Sequence, residues 1–167
     1  MTLLGWLRDY PYFLVKIYVS FGKLFLKSGK GVEKFGFKRV DNLIRFPEEF
    51  SKKLIFDCKM CGQCTLHSTG MTCPMTCPKH LRNGPCGGVS VHETCEVIPD
   101  MKCIWVEAYQ REQKMSENNQ GLIFIQPPLN HNLKYKSAWI NKLCCEDAQM
   151  PSGWKLNSQK EKNTIWG

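Results

Sequence analysis

The first pattern along the chain is a helical repeat of apolar residues near the N-terminus. Between Tyr12 and Lys27, polar residues at helical intervals face away from an apolar row formed by Phe13, Ile17, Phe21 and Leu24. Pro11 suits the first turn of a helix, and Gly29 and Gly31 end the pattern. The sequence predicts an amphipathic helix whose apolar face covers the protein's own core, docks on another protein or attaches to a membrane surface.

Further elements are predicted along the rest of the chain. A short second helix is expected to begin at Pro47, a third covers 103–115, and a fourth follows Ser137. Residues 121–125 predict a short strand, which ends in a turn at the proline pair 127–128.

These elements predict a small α+β protein in which helices flank an irregular, cysteine-rich metal-binding module. The predicted parts are an N-terminal helical extension (1–56), the cysteine-rich module (57–115), a C-terminal strand–turn–helix segment (116–150) and a flexible tail (151–167).

The net charge adds little to this picture. The formal charge is +8, of which residues 1–57 contribute 11 basic and 6 acidic side chains. Since no block of consecutive Lys or Arg appears, no nucleic-acid partner is expected. Charged residues interrupt every apolar run, so no transmembrane segment is expected either. Without a secretory signal, the chain is expected to be cytoplasmic.

The strongest chemical signal is a group of eight cysteines within 46 positions. The segment that carries them is rich in Gly and Pro and cannot bury enough apolar surface to order itself, so another interaction must hold it. Eight thiols are the number that two four-cysteine metal sites require. The expected ligands are Cys58, Cys61, Cys64, Cys73, Cys77, Cys86, Cys95 and Cys103.

The spacing leaves the kind of metal open. The triplet CxxCxxC at the start is typical of a 4Fe–4S binding loop, which favours two such clusters. Zinc, or one site of each kind, is the alternative, and disulfides are disfavoured in a cytoplasmic chain. Cys144 and Cys145 are interpreted as buried thiols on a helix, and the four histidines are left outside the ligand set.

Residues 58–111, and above all the run CPKHLRNGPCGG, closely resemble the C-terminal domain family of methylenetetrahydrofolate reductases. The later segment 125–143 resembles the part that follows the cysteine module in that family. The family includes the small iron–sulfur subunit of two-subunit reductases. The resemblance implies a partner: a TIM-barrel catalytic subunit whose flavin passes electrons to methylenetetrahydrofolate. It also leaves room for a ferredoxin-like electron donor.

A barrel of that kind takes roughly 250 residues, so no flavin is expected on this chain and it is not expected to be catalytic alone. Two functions follow: an electron-transfer subunit, or a zinc-stabilised structural or regulatory subunit without a redox role. Partner contacts are expected from the basic turn between Cys77 and Cys86 and from aromatic side chains that are equally compatible with a core. The candidates are Lys79, Arg82, Phe13, Phe21 and Phe25, with Trp105 and Tyr109 as further aromatic anchors.

Overall fold

The computed structural model describes residues 4–84, 86–115, 122 and 125–145. Within these ranges the chain is mostly helical. The helices are α1 (Pro11–Lys27), α2 (Gly29–Phe35), α3 (Phe37–Phe56), α4 (Ile104–Gln113) and α5 (Ala138–Leu143). Short 3-10 turns cover Gly5–Asp9, Leu66–Ser68, Pro74–Thr76 and His131–Leu133. No helix in the described ranges combines the length and the apolar character needed to cross a membrane.

The helix predicted from Tyr12 is confirmed as α1, but its inward face differs from the expected one. Leu14 is buried and packs with Phe56, Leu66 and Met71, with Tyr18 at the edge of this cluster. The predicted apolar row is largely exposed, since Phe13 is 57% and Ile17 50% accessible. The inward stripe is therefore displaced by one residue from the expected row, and α1 presents apolar surface on two sides.

The predicted start of the second helix at Pro47 is wrong, because α3 begins ten residues earlier, at Phe37. Gly36, with a φ of +86°, makes the break before α3, and Pro47 lies inside the helix. Proline usually marks a first turn because its nitrogen cannot donate a hydrogen bond. Here the residue without an N–H donor lies in the middle of the helix. The Pro47 carbonyl accepts a 2.8 Å hydrogen bond from the Ser51 hydroxyl.

The cysteine-rich region has the irregular backbone that the sequence predicted. Strand pairing in the described ranges is limited to two isolated antiparallel bridges, Val89–Cys95 and Thr94–Lys102. The α+β expectation is therefore correct in its helices, and the described part of the chain does not show a sheet. The strand expected at 121–125 falls largely outside the described residues, and the flexible tail expected at 151–167 lies wholly outside them.

The helices predicted after Cys103 and after Ser137 are confirmed as α4 and α5. The backbone N–H of Ser137 donates to Asp41 on α3, at 2.7 Å, and that of Ala138 donates to Glu48, at 3.2 Å. Carboxylates are favourable at a helix N-terminus because its first N–H groups lack partners within the helix. Two carboxylates of α3 thereby fix the start of α5.

The run LRNGPCGG holds the segment 126–130 against the cysteine-rich region. Asn83 exchanges two hydrogen bonds with the backbone of Gln126, at 2.9 and 2.8 Å. Arg82 donates to the carbonyl of Pro127, at 2.8 Å, and to that of Gln63, at 3.0 Å. These two side chains join stretches of chain that are 43 and 45 residues apart.

Two glycines of this run allow a matched stability test. A Cβ at Gly84 would overlap the indole of the buried Trp105, whereas a Cβ at Gly87 would meet nothing within 4 Å. We expect Gly84→Ala to lower the free energy of unfolding by about 1–3 kcal/mol, the usual cost of overpacking. Gly87→Ala should stay within about 0.5 kcal/mol of the parent chain. Urea denaturation of both variants measures this, and equal stabilities would contradict the described approach of Gly84 to Trp105.

Candidate functional site

Four of the eight predicted ligand cysteines line one small cavity. Cys58, Cys61, Cys64 and Cys73 come from the segment that follows α3, and all four lie around a space of about 20 Å³. Gly62, between two of them, has a φ of +76°, and its carbonyl accepts a 2.8 Å hydrogen bond from Asn141 of α5. The structure therefore brings the first four cysteines together, a grouping that the spacing alone did not specify.

The thiols of this cavity influence one another. Burial raises the pKa of Cys58, and the nearby Cys73 and Cys64 raise it further, although a 3.4 Å bond from the Met60 N–H opposes them. Burial and the same kind of neighbours raise the pKa of Cys73 to about 12. The pKa of Cys61 is also raised, mainly by burial. Crowded thiols of this kind resist ionisation until a cation balances their charge.

A buried charged pair on α3 lies beside the same cavity. Lys52 and Glu48 both line it, and their side chains are 8% and 3% exposed. The Lys52 ammonium donates a 2.5 Å hydrogen bond to Glu48 Oε1. Burial alone would lower the pKa of Lys52, but the charges of Cys64 and Glu48 outweigh it and raise that pKa. The charged form of Lys52 is thus favoured next to the thiols.

Tyr18 extends this environment to α1. Burial raises the pKa of its hydroxyl, and a hydrogen bond and the charge of Cys64 add to the rise. The Lys52 ammonium lies 5.8 Å from the Tyr18 ring. α1 therefore interacts with Cys64, one of the four cavity cysteines, through the Tyr18 hydroxyl, in addition to packing on the core.

The other four predicted ligands are placed by different elements. Cys77 follows the turn Pro74–Thr76 and is buried, as are Cys95 and Cys103. Cys103 immediately precedes α4 and packs with Trp105 and Ala108. Backbone bonds from Cys95 to Met101 (2.9 Å) and from Cys103 to Glu93 (2.8 Å) hold these two residues near the isolated bridges. The role of these four cysteines as a second ligand set, Cys86 included, stays a prediction.

The fit of a metal to these thiols depends on spacing and on donor chemistry. No group of three or more His, Cys, Asp or Glu side chains in the described ranges lies close enough together to hold a metal ion as placed. None of the ten cysteines forms a disulfide. The donor set of the first four suits zinc or iron, since both take thiolates. The 20 Å³ space is about the room of one water molecule. Binding of an ion or a cluster between these four thiols therefore requires their side chains to move.

The two basic residues predicted to contact a partner have different surroundings. Lys79 is exposed and forms an ion pair with Glu96. Arg82 is only 9% exposed, and its described bonds go to backbone carbonyls. Its position gives Arg82 a structural task, whereas Lys79 lies at the surface.

The aromatic candidates also divide into two groups. Phe13, Phe21 and Tyr109 are 50–57% exposed. Phe25 is half-buried, and its ring lies 6.1 Å from that of Trp139. Trp105 lies in the first turn of α4 and belongs to a buried cluster with Cys103 and Ala108. Partner contact through Phe13, Phe21 and Phe25 remains a prediction.

Residues outside the predicted site complete its surroundings. The sequence reasoning missed Tyr18, Glu48 and Lys52, and also Gln63, whose side chain accepts a 2.7 Å hydrogen bond from the Asn130 N–H. The sequence did contain a signal for the Glu48–Lys52 pair. These two residues are four positions apart on a helix that ends just before the first cysteine. The interpretation of Cys144 and Cys145 as buried thiols on a helix is wrong, because both follow the end of α5, where Cys144 is half-buried and Cys145 is exposed.

Fold and site together define a small, mostly helical, cysteine-rich protein with four thiols around one cavity. Residues 37–132, more than half of the chain, match the family model described as methylene-tetrahydrofolate reductase C terminal. The chain belongs to this family, which confirms the resemblance drawn from the cysteine-rich run. The match begins at the start of α3 and leaves α1 and α2 outside it. No curated protein and no solved structure matches the chain.

The shared cavity predicts how metal content depends on single cysteines. If the chain holds the two predicted four-thiol sites, we expect Cys61→Ser to lower the metal bound per chain by about half, because one of them loses a ligand. Solubility should fall too, since metal binding and folding are coupled. The matched control is Cys145→Ser, at an exposed position outside the cavity, which should keep the full content. Elemental analysis of chains purified without oxygen measures this, and full occupancy in Cys61→Ser would remove Cys61 from the ligand set.

His67 predicts a pH effect on stability. Burial lowers its pKa from the usual 6.5 to about 3, and its ring stacks on Tyr18 with centroids 6.3 Å apart. As pH falls, His67 is therefore protonated in the unfolded chain at a higher pH than in the folded chain. This contribution to stability is therefore complete above pH 6.5 and is lost between pH 6.5 and 3, by up to roughly 1.4 kcal/mol per pH unit.

The variant His67→Phe keeps a ring against Tyr18 and removes the titrating group. Its free energy of unfolding should fall less steeply than that of the parent chain between pH 6.5 and 5. Urea denaturation of both proteins, with the same metal content, separates this slope from acid effects on the cysteines. Parallel slopes would show that the folded chain accepts the proton on His67 without cost.

Proposed function

We propose that this chain is a metal-cluster accessory subunit of a methylenetetrahydrofolate reductase, and that it passes electrons to the flavin of a separate catalytic subunit. The observation that carries the proposal is the family match over 37–132, which encloses a cavity lined by four cysteines. Family membership supports the association with the reductase, and the thiols supply the means of binding metal.

The proposal divides the labour between two subunits. A TIM barrel takes roughly 250 residues, and the family match over residues 37–132 is too short to include one. In the proposal, the flavin and the folate bind to the barrel of the partner. This chain contributes electron transfer and the surface that holds the two subunits together.

The residues have distinct tasks in this proposal. Cys58, Cys61, Cys64 and Cys73 hold one cluster, and Cys77, Cys86, Cys95 and Cys103 hold a second. Bound iron–sulfur clusters supply one-electron transfer at potentials set by charge, hydrogen bonds and solvent exposure. Lys52 provides a fixed positive charge beside the first site, and the Tyr18 hydroxyl interacts with Cys64. Both favour the added negative charge of a reduced state.

Contact with the partner is assigned to exposed side chains. Phe13 and Phe21 on α1 are half-exposed or more, and such aromatic side chains are the usual anchors of stable interfaces. Phe25 lies one turn further along α1, and its ring stacks on that of Phe21 with centroids 6.3 Å apart. Lys79 is the basic candidate, because it is at the surface.

A second candidate function is a zinc-stabilised structural or regulatory subunit without a redox role. The size of the cavity favours it, because a space of about 20 Å³ holds a single ion more readily than a four-iron cluster. Zinc does not change its oxidation state, so this subunit would hold the reductase together without carrying electrons.

The experiment is co-expression with a flavin-containing methylenetetrahydrofolate reductase subunit, with an affinity tag on this chain only. We expect the two proteins to co-purify in a fixed ratio. We also expect reductase activity with a low-potential donor to rise at least tenfold over the flavoprotein alone. Iron, acid-labile sulfide and zinc are measured on the same sample.

Each outcome decides between the two functions. Iron with sulfide, together with a visible absorbance that the donor bleaches, supports electron transfer. Zinc without sulfide, in a complex that shows the same rise in activity over the flavoprotein alone, supports the structural subunit. A monomer that ignores the flavoprotein, while that protein works at full rate alone, overturns both. Phe13→Ala should weaken the complex. The matched control is Val91→Ala, at a 97% exposed position outside α1, which should leave the complex unchanged.

A further inference from the structure

The side of α3 that faces solvent carries three large apolar residues. Leu43, Phe46 and Phe50 are 76%, 74% and 61% exposed. Their spacing of three and four residues places them on one face of the helix. The rings of Phe46 and Phe50 stack on each other, with centroids 6.4 Å apart. These three residues define the outer face of α3.

The opposite side of α3 is polar and is held in place by hydrogen bonds. Asp41, Glu48 and Lys52 lie about half a helical turn away from the outer face. Asp41 and Glu48 accept bonds from the backbone N–H groups of Ser137 and Ala138, and Glu48 also pairs with Lys52. A surface helix usually has the reverse arrangement, with its apolar side inward. α3 cannot turn its apolar side inward without breaking a buried ion pair, which is costly.

An exposed apolar stripe of this kind indicates an interaction surface. Single exposed apolar residues are normal, whereas adjacent ones that form a patch mark sites of contact with a partner. Stable interfaces have aromatic anchors at the centre and a polar rim. Phe46 and Phe50 suit such a centre, and two exposed cations, Arg39 and Lys53, lie towards the two ends of the stripe. These cations suit a partner with acidic side chains around its binding site.

The extent of the family match favours one partner for this surface. The matching model is described as the C-terminal part of a methylenetetrahydrofolate reductase, and the match starts at Phe37, the first residue of α3. α3 is therefore the first helix of the matched region. Since the rest of a reductase precedes its C-terminal part, α3 is the matched helix nearest to that remainder in sequence. The helices α1 and α2 lie outside the match.

We propose that the outer face of α3 is the main docking surface for the flavin-containing catalytic subunit, with Phe46 and Phe50 as its central anchors. This inference rests on the proposed function, because it names the surface that holds the two subunits together. The aromatic side chains of α1 then extend the interface, and its centre lies on the matched region.

The experiment compares two phenylalanines of nearly equal exposure. Phe46→Ala removes a ring from the outer face of α3, where Phe46 is 74% exposed, and Phe35→Ala removes one from α2, where Phe35 is 72% exposed. Isothermal titration calorimetry gives the affinity of each full-length, metal-loaded variant for the flavoprotein. We expect Phe46→Ala to weaken binding at least about tenfold, as the loss of a central aromatic anchor does. Phe35→Ala should leave the affinity unchanged.

Measurements on the isolated variants test for other occupants of this face. Because both rings are exposed, Phe46→Ala and Phe35→Ala should have the same metal content and the same urea midpoint as the parent chain. A lower midpoint in Phe46→Ala alone would show that other residues of this chain cover the face. A parent chain that is dimeric by light scattering, with Phe46→Ala monomeric, would assign the face to a second copy. Either result overturns the proposal.

The affinities separate a failure of this inference from a failure of the proposed function. If the parent chain binds the flavoprotein and Phe46→Ala binds it equally tightly, the association with the reductase stands and the docking surface lies elsewhere. If the parent chain does not bind the flavoprotein, the proposed function fails and the docking surface fails with it.

Discussion

The buried ion pair between Lys52 and Glu48 is the interaction on which the rest of the structure depends. Charges removed from water are expensive unless each finds a partner and further hydrogen bonds. The ammonium bonds the carboxylate at 2.5 Å and lies near the rings of Tyr18 and Trp139. The carboxylate also accepts from the first N–H of α5. Elements from three parts of the chain are thus fixed around one pair of charges.

This arrangement explains how a segment with little apolar surface is held in place. The pair lies directly beside the first four cysteines, and α5, whose start it fixes, sends Asn141 back to the Gly62 carbonyl. Arg82 and Asn83 attach the segment 126–130 from the other side. Hydrogen bonds to backbone carbonyls therefore supply much of the order that an apolar core supplies elsewhere.

The sequence allowed much of this to be predicted. α1 and α4 followed from apolar periodicity, and the run CPKHLRNGPCGG led to the correct family. The start of α3 was missed because Pro47 is a strong local signal, whereas Gly36 is a weak one. The inward face of α1 was misplaced by one residue, because aromatic side chains occupy both sides of the helix. The Glu48–Lys52 pair has the i,i+4 spacing that is common for exposed pairs on a helix. Its burial depends on α1 and α5, which no local pattern specifies. The grouping of the cysteines likewise depends on the tertiary fold.

The central claim is that cysteine thiols of this chain hold metal. X-ray absorption at the iron and zinc edges, on full-length chain purified without oxygen, tests it most directly. The account predicts a first shell made of sulfur, with a metal–sulfur distance of about 2.3 Å for zinc and an additional metal–metal distance if iron clusters are present. A shell dominated by oxygen and nitrogen, or a folded chain that retains no metal at either edge, would contradict it.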